Sequence, residues 1–208
     1  MPKVTVLSTL RHAETDYTRQ QRYCGTIDAP LNHAGIQDTR EAKKYLKTHS
    51  FDVVITSSLR RTAETANILL GGGVPTVRSP LCNERNFGVL QGRMIRDVEN
   101  VRPRVKFIRM GGDYHSLNLP EGETFSQVRR RAMDFLRFVL SGYAGRTVLI
   151  VSHNVFLQQF HGVIRKQRWD AALQHNPKPL DMMTFLLEGG RLVKETEHNL
   201  VERKQVVW

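Results

Sequence analysis

Apolar residues in this chain follow two patterns. The segments Val4 to Leu10, Asp52 to Thr56 and Thr147 to Val151 are short, nearly continuous and rich in β-branched residues, which predicts strands buried on both faces. Between them, apolar residues return every third or fourth position. Gly35 to Lys47 carries Ile36, Ala42, Tyr45 and Leu46 near that period, and Thr124 to Leu140 places Phe125, Val128, Ala132, Phe135, Leu136 and Val139 on one face; both read as helices. Ser58 is positioned to cap a third helix, Arg60 to Leu70, which the run Gly71-Gly72-Gly73 stops. A further helix is expected after His153. Met182 to Leu187 and Arg191 to Glu195, on either side of Gly189-Gly190, predict a hairpin.

Strands that alternate with helices predict an α/β fold, a three-layer sandwich with a mainly parallel central sheet and helices on both faces. At 208 residues and 40% hydrophobic content the chain can build one substantial core, so residues 1–208 read as a single domain. In parallel sheets ligands collect at the carboxyl ends of the strands. Two histidines stand at such ends: His12 after the first strand and His153 after the strand at Thr147 to Val151. Met110 to Gly122, with Gly111-Gly112 and Pro120, reads as a lid loop.

Composition narrows the function classes. No run of about 18 apolar residues exists, so no membrane span is expected. The start, Met1-Pro2-Lys3-Val4, enters a strand pattern at once and carries no signal-peptide pattern, so a cytoplasmic location is expected. Cys24 and Cys82 are the only cysteines; they suggest free thiols and form no metal-binding spacing. The net charge of +11 suits anionic partners of any size. No nucleic-acid motif accompanies it, so small anionic substrates are favoured over nucleic acid.

The chemistry is concentrated in four ordered segments. They are Leu10-Arg11-His12-Ala13-Glu14-Thr15-Asp16, Ser57 to Ala66 around Arg60-Arg61-Thr62, Asn83-Glu84-Arg85-Asn86-Phe87-Gly88, and Val151-Ser152-His153-Asn154. Together they resemble the histidine phosphatase superfamily, the group that includes cofactor-dependent phosphoglycerate mutases. The family's Arg-His-Gly-Glu-Thr signature stands here as Arg11-His12-Ala13-Glu14-Thr15, and the resemblance runs from about residue 3 to about residue 190.

The resemblance implies a phosphoryl group transferred to His12, whose second ring nitrogen must be tied down to fix the tautomer. Arg11, Arg61 and a protonated His153 would hold the charge on the phosphoryl oxygens. The family register selects Arg61 over Arg60. Glu84 resembles the family's proton donor, which a poor alkoxide leaving group requires. Thr15, Thr18, Cys24, Gly25 and Asn154 are the implied substrate-binding positions, with Cys24 and Gly25 offering backbone amides. Glu123, in Pro120 to Thr124, is expected to pair with an arginine such as Arg131. No metal ligand set and no cofactor is expected.

Four departures stand out. Ala13 and Asn154 replace glycines, which would bring side chains near the phosphate. Thr18 stands where mutases place asparagine. The paired arginines that bind a mutase substrate's carboxylate are not recognisable between Arg93 and Pro120. The reading is therefore a metal-independent phosphoric monoester hydrolase of the histidine acid phosphatase type. It would act through phosphohistidine on a small phosphorylated metabolite of the sugar phosphate or phosphoglycerate kind. Homodimerisation stays open, as do two alternatives: a cofactor-dependent phosphoglycerate mutase, and a non-catalytic phospho-ligand or protein-binding module on the same fold. His33, His49, His115, His161, His175 and His198 belong to no motif and read as surface or packing residues.

Overall fold

The computed structural model describes residues 3–201. Strand β1 (Val4–Arg11) opens the chain and is followed by the short helix α1 (Asp16–Arg19) and by α2 (His33–Tyr45). Next come β2 (Val53–Thr56), α3 (Arg60–Leu70) and β3 (Thr76–Arg78). After a stretch of 3-10 turns, β4 (Phe107–Met110) and β5 (Asp113–Ser116) pair as a separate hairpin. Helix α4 (Phe125–Tyr143), β6 (Thr147–Ser152), α5 (Asn154–Ile164), β7 (Asp181–Glu188) and β8 (Arg191–Asn199) complete the order. The main sheet runs β3-β2-β6-β1-β7-β8. Its first four strands are mutually parallel, and β7 and β8 close one edge antiparallel.

The continuous apolar runs are central strands because both faces of the sheet are covered. Alternate side chains divide between two cores, as a period of two requires. Leu7, Val53, Ile55, Val148 and Ile150 face a cluster with Val128, Phe135, Phe156 and Phe160 of α4 and α5. Leu10, Val54, Leu149 and Val151 face the other, with Ala42 of α2 and Ala66 and Leu69 of α3. Phe135 meets Phe156 and Phe160 edge-on, with ring centroids 5.6 and 5.3 Å apart, a favoured aromatic geometry. Phe135 is wholly buried; truncating such a ring typically costs about 3–5 kcal/mol.

Several helix ends differ from expectation. Thr124 is the cap of α4 and not its first residue: its hydroxyl accepts from Gln127 N while Gln127 Oε1 accepts from Thr124 N, a complete capping box. Asn32 caps α2 through a bond from Gly35 N, so that helix starts earlier than its apolar pattern. Ser58 caps nothing. Its Oγ donates to Asn83 Oδ1, and the orphan amide of Arg60 donates to Asp28 Oδ1 from a distant loop. The expected lid loop is largely the β4–β5 hairpin, turned at Gly111-Gly112, both of which take positive φ. Strand β3, three residues long and half-exposed, carried no pattern long enough to detect. Among the described residues no helix is long and apolar enough to cross a membrane.

Candidate active site

The two histidines meet because of strand register. In the parallel pair β1–β6, Arg11 lies opposite Ser152, so the next residues, His12 and His153, leave adjacent strand ends side by side. Their ring centroids are 5.1 Å apart. His12 N donates to Ser152 O at 2.9 Å, extending the ladder by one bond. β2 lies beside β6 and ends at Thr56, which brings Ser57 to the same edge.

Hydrogen bonding fixes both tautomers. His12 Nδ1 is 2.7 Å from Ala13 O; a carbonyl only accepts, so Nδ1 carries the proton and Nε2 presents a lone pair. Arg61 Nε donates, at 3.2 Å to each, to His12 Nε2 and to His153 Nδ1. The proton of His153 is therefore on Nε2, which donates to Ser57 Oγ at 2.8 Å. Burial, and then the charge of Arg61, hold both imidazoles well below the usual histidine pKa. His153 in this state accepts from arginine and is neutral, whereas the sequence reading gave it a protonated role.

Arg61 is the hub of the site. It is 1% exposed and its Nη1 and Nη2 donate to Ile27 O and Gly25 O at 2.8 and 2.7 Å. One guanidinium thus ties the loop at residues 24–27 to both histidines. Arg60 points outward and pairs with Glu64 at 2.6 Å on the exposed side of α3. Gly25 takes φ +55°, and a Cβ there would lie 2.2 Å from Gln91 Oε1, which itself accepts from Thr26 N and Oγ1. The loop conformation therefore requires glycine. Its carbonyl, spent on Arg61, is the contact seen at Gly25.

Glu84 comes from the opposite wall. Its carboxylate accepts from Arg85 N at 2.8 Å and from Val155 N and Phe156 N, the first-turn amides of α5, at 3.3 and 3.2 Å. The segment is braced from behind. Arg131 pairs with Glu123 at 2.9 Å, as the sequence suggested, and donates to the carbonyls of Leu81 and Asn83. Glu123 in turn accepts from Asn86 N.

Of these groups His12, Arg61 and Glu84 line a cavity of about 410 Å³ together with Arg11, Thr18, Arg22, Tyr23, Cys24, Gly25 and Asn154, while His153 is wholly buried behind them and is not among the lining residues. Arg11 is anchored by a bond from Nη1 to Pro177 O. Thr15 does not reach the cavity: it is wholly buried, and its hydroxyl caps α1 by accepting from Thr18 N. Ala13 brings no methyl group toward substrate, because its side chain packs among Leu10, Leu31 and Ala42. Asn154 does face the cavity, with its Oδ1 buried and without a hydrogen-bond partner.

Several lining residues escaped the sequence reading as members of the site, among them Arg85, Asp113, His115 and Asn176. Arg85 is 1% exposed, stacked 4.0 Å from the centroid of Phe125 and bonded to Glu123 O and Ser116 Oγ, with Nη2 unpartnered. Burial pushes its pKa down to about 10. It directly follows Glu84, so its position in the motif was the available signal. Asp113 and His115 arrive on the β4–β5 hairpin, foreshadowed by Gly111-Gly112 between two β-prone stretches. Asn176, which donates to Asp113, lies in a loop with no such signal.

Comparison with known proteins agrees with this geometry. The uncharacterized phosphatase PhoE of Bacillus subtilis is 32% identical over 151 residues, 72% of each chain. Fructose-2,6-bisphosphatase TIGAR B of Danio rerio is 35% identical over 137 residues, 63% of this chain; the match spans about half, 51%, of the fish protein. A probable phosphoglycerate mutase, GpmB of Yersinia pestis, is 30% identical over 71% of this chain and 69% of its own. The solved structure of Bacillus stearothermophilus YhfR superposes with a TM-score of 0.79 at 25% identity, covering 95% of this chain and 96% of that one. The model of the histidine phosphatase superfamily, branch 1, matches residues 7–197, and the chain belongs to that family.

Proposed function

We propose that this chain is a single-domain, metal-independent phosphomonoesterase that forms phosphohistidine at His12 and acts on small phosphorylated metabolites. The observation that carries the reading is the state of His12: a neutral imidazole, its Nδ1 proton held by Ala13 O, in a cavity shared with guanidinium groups and Glu84. A neutral ring nitrogen is the nucleophile this chemistry needs. In the empty site Arg61 Nε–H covers the Nε2 lone pair. An incoming phosphoryl oxygen takes over that N–H, which frees the lone pair and holds the anion with the same donor.

The Nε2 lone pair then forms a bond to phosphorus as the phosphorus–oxygen bond to the alcohol breaks, and Glu84 gives its proton to the departing oxygen. In the second half Glu84 takes a proton from water as that water's oxygen attacks phosphorus. The phosphorus–nitrogen bond breaks and inorganic phosphate leaves. Charge on the phosphoryl oxygens is met by Arg11 and Arg61, with His153 able to join by taking up a proton once the dianion offsets the nearby guanidinium charge. The phosphatase reading is preferred to mutase because none of the arginines from Arg93 to Arg109 lies among the residues lining the catalytic cavity. The free cysteines, Cys24 and Cys82, fit a reducing compartment such as the cytoplasm.

The test is to trap the intermediate. A reaction with a labelled phosphomonoester, quenched by denaturation, should leave protein-bound label that survives alkali and is lost in acid. His12→Ala should carry none and lose turnover by roughly 10⁴-fold or more. Label retained by His12→Ala would remove His12 as nucleophile. Rapid primer-dependent interconversion of phosphoglycerates without phosphate release would overturn the phosphatase reading in favour of a mutase.

A further inference from the structure

Beside the catalytic cavity lies a second and larger one, of about 600 Å³. The two share Tyr23, Ile95 and Tyr114 as a common wall. Their chemistry differs sharply. The catalytic cavity is lined by histidines, arginines, Glu84, Asp113 and amides. The annex is lined by those three shared residues, Val98, Val105, Phe107 and two arginines, Arg96 and Arg104, and, among the described residues, by no acidic one. Its floor continues into a small apolar cluster that buries Leu90, Val101 and Leu119.

Ile95 and Tyr114 are among the exposed large apolar side chains of the molecule, 42% and 61% accessible. Both stand where the two cavities join, so apolar surface is left uncovered directly alongside the chemistry. A glycerate or a simple sugar bound by its phosphoryl group fits within the catalytic cavity and would leave this larger space empty. Aromatic and branched walls suit a flat apolar ring, and the arginines suit an anionic substituent on it.

We propose that this annex is the subsite for the alcohol portion of the substrate, and that it selects phosphomonoesters whose alcohol carries an aromatic or heteroaromatic ring with an anionic group beyond it. The ring packs against Phe107, Val98 and Val105, with Tyr114 beside it. Arg104 and Arg96 meet the anionic end. The inference rests on the phosphatase reading for its biological meaning and adds the substrate class.

Phosphonates separate the two, because a carbon–phosphorus bond cannot be hydrolysed and their binding needs no turnover. Calorimetry would compare alkyl phosphonates with phenylalkyl phosphonates of increasing spacer length, with and without a para-carboxylate. The ring should tighten Kd by roughly tenfold or more at the best spacer, the gain expected for burying a ring-sized apolar surface, and the carboxylate should tighten it further. Val105→Asp should reduce the ratio of phenylalkyl to alkyl affinity, and Arg104→Glu should erase the carboxylate's increment alone. A ratio of affinities measured on one preparation does not move if part of the protein is unfolded. Equal affinity for alkyl and phenylalkyl phosphonates on the unmodified protein at every spacer length would overturn the annex proposal. Absence of phosphate release from p-nitrophenyl phosphate would instead sink the phosphatase reading, whatever the phosphonates show.

Discussion

The floor and the roof of the catalytic cavity are built by different rules. The floor is the edge formed by β2, β6 and β1, where Ser57, His153 and His12 leave three adjacent parallel strands and Arg61 reaches across from α3. His12, Arg61 and His153 are all less than a tenth exposed, and each ring or guanidinium nitrogen of the three has a partner. The roof is the β4–β5 hairpin with its flanking turns. Its side chains are mostly half-buried or exposed, and its strands belong to no larger sheet. A packed, saturated floor has one geometry, which suits a reaction that always involves the same phosphoryl group. A two-stranded roof with its own small core can vary without disturbing that geometry. On the proposed function, chemistry belongs to the first region and substrate choice to the second.

The largest effect that would sharpen this contrast concerns Glu84, which is held beside the floor by the first-turn amides of α5. Glu84→Gln should slow hydrolysis of alkyl phosphates by roughly 10²- to 10⁴-fold and that of p-nitrophenyl phosphate far less, because a good leaving group needs little protonation. The amide keeps one acceptor oxygen toward the α5 amides, so positioning suffers little. Equal losses on both substrate types would assign Glu84 a positioning role.

Arg61 and Arg60 test the floor at one residue's resolution. Arg61→Ala should lower turnover by roughly 10²- to 10³-fold, as for other preorganised donors, and should also raise KM because Gly25 and Ile27 lose their anchor. Arg60→Ala removes only an exposed pair with Glu64, an interaction typically contributing about 0–1 kcal/mol, and should leave kinetics within about twofold. Comparable losses in the two variants would mean that Arg61 acts through the fold and not on the phosphoryl group.

The contrast also explains what could be read from the sequence. Floor strands are buried on both faces, so the apolar runs around Val4 and Val148 announced them, and the carboxyl-end positions of His12 and His153 in a parallel sheet pointed to one shared edge. Partnerships were illegible where they depend on tertiary register. Nothing in the chain says that Ser58 reaches Asn83 in place of capping α3, or that Thr15 spends its hydroxyl on α1. Ala13 shows the same limit from the other direction: as a departure from a glycine it suggested crowding at the phosphate, yet its methyl group belongs to the α2–α3 core. In the roof, His115 read only as a surface or packing residue, because its place beside the cavity comes from a hairpin folding over it and not from any local pattern.

Titration would compare the regions by stability rather than by rate. Three histidines of the floor and the layer beneath it, His12, His153 and His161, are buried, and that burial lowers their pKa values well below the ordinary value. His115 of the roof is lowered too, with burial again the main cause, but less far. A histidine that stays neutral when folded but takes a proton when unfolded contributes nothing to pH dependence above its unfolded pKa of about 6.5. Below it the unfolded state binds more protons, so stability falls as pH falls, by a slope approaching about 1.4 kcal/mol per pH unit for each such group. Thermal unfolding between about pH 7.5 and 5.5, above most carboxylate titration, should therefore show a falling Tm. His161 is the group to remove, since its Nε2 lies 2.8 Å from Thr9 Oγ1 and it does not line the catalytic cavity. His161→Gln should flatten the dependence on pH by about one histidine's share, whatever it does to stability at neutral pH, and His115→Gln should flatten it less. A steeper loss of pH dependence from the roof variant than from the floor variant would break the division between the two regions.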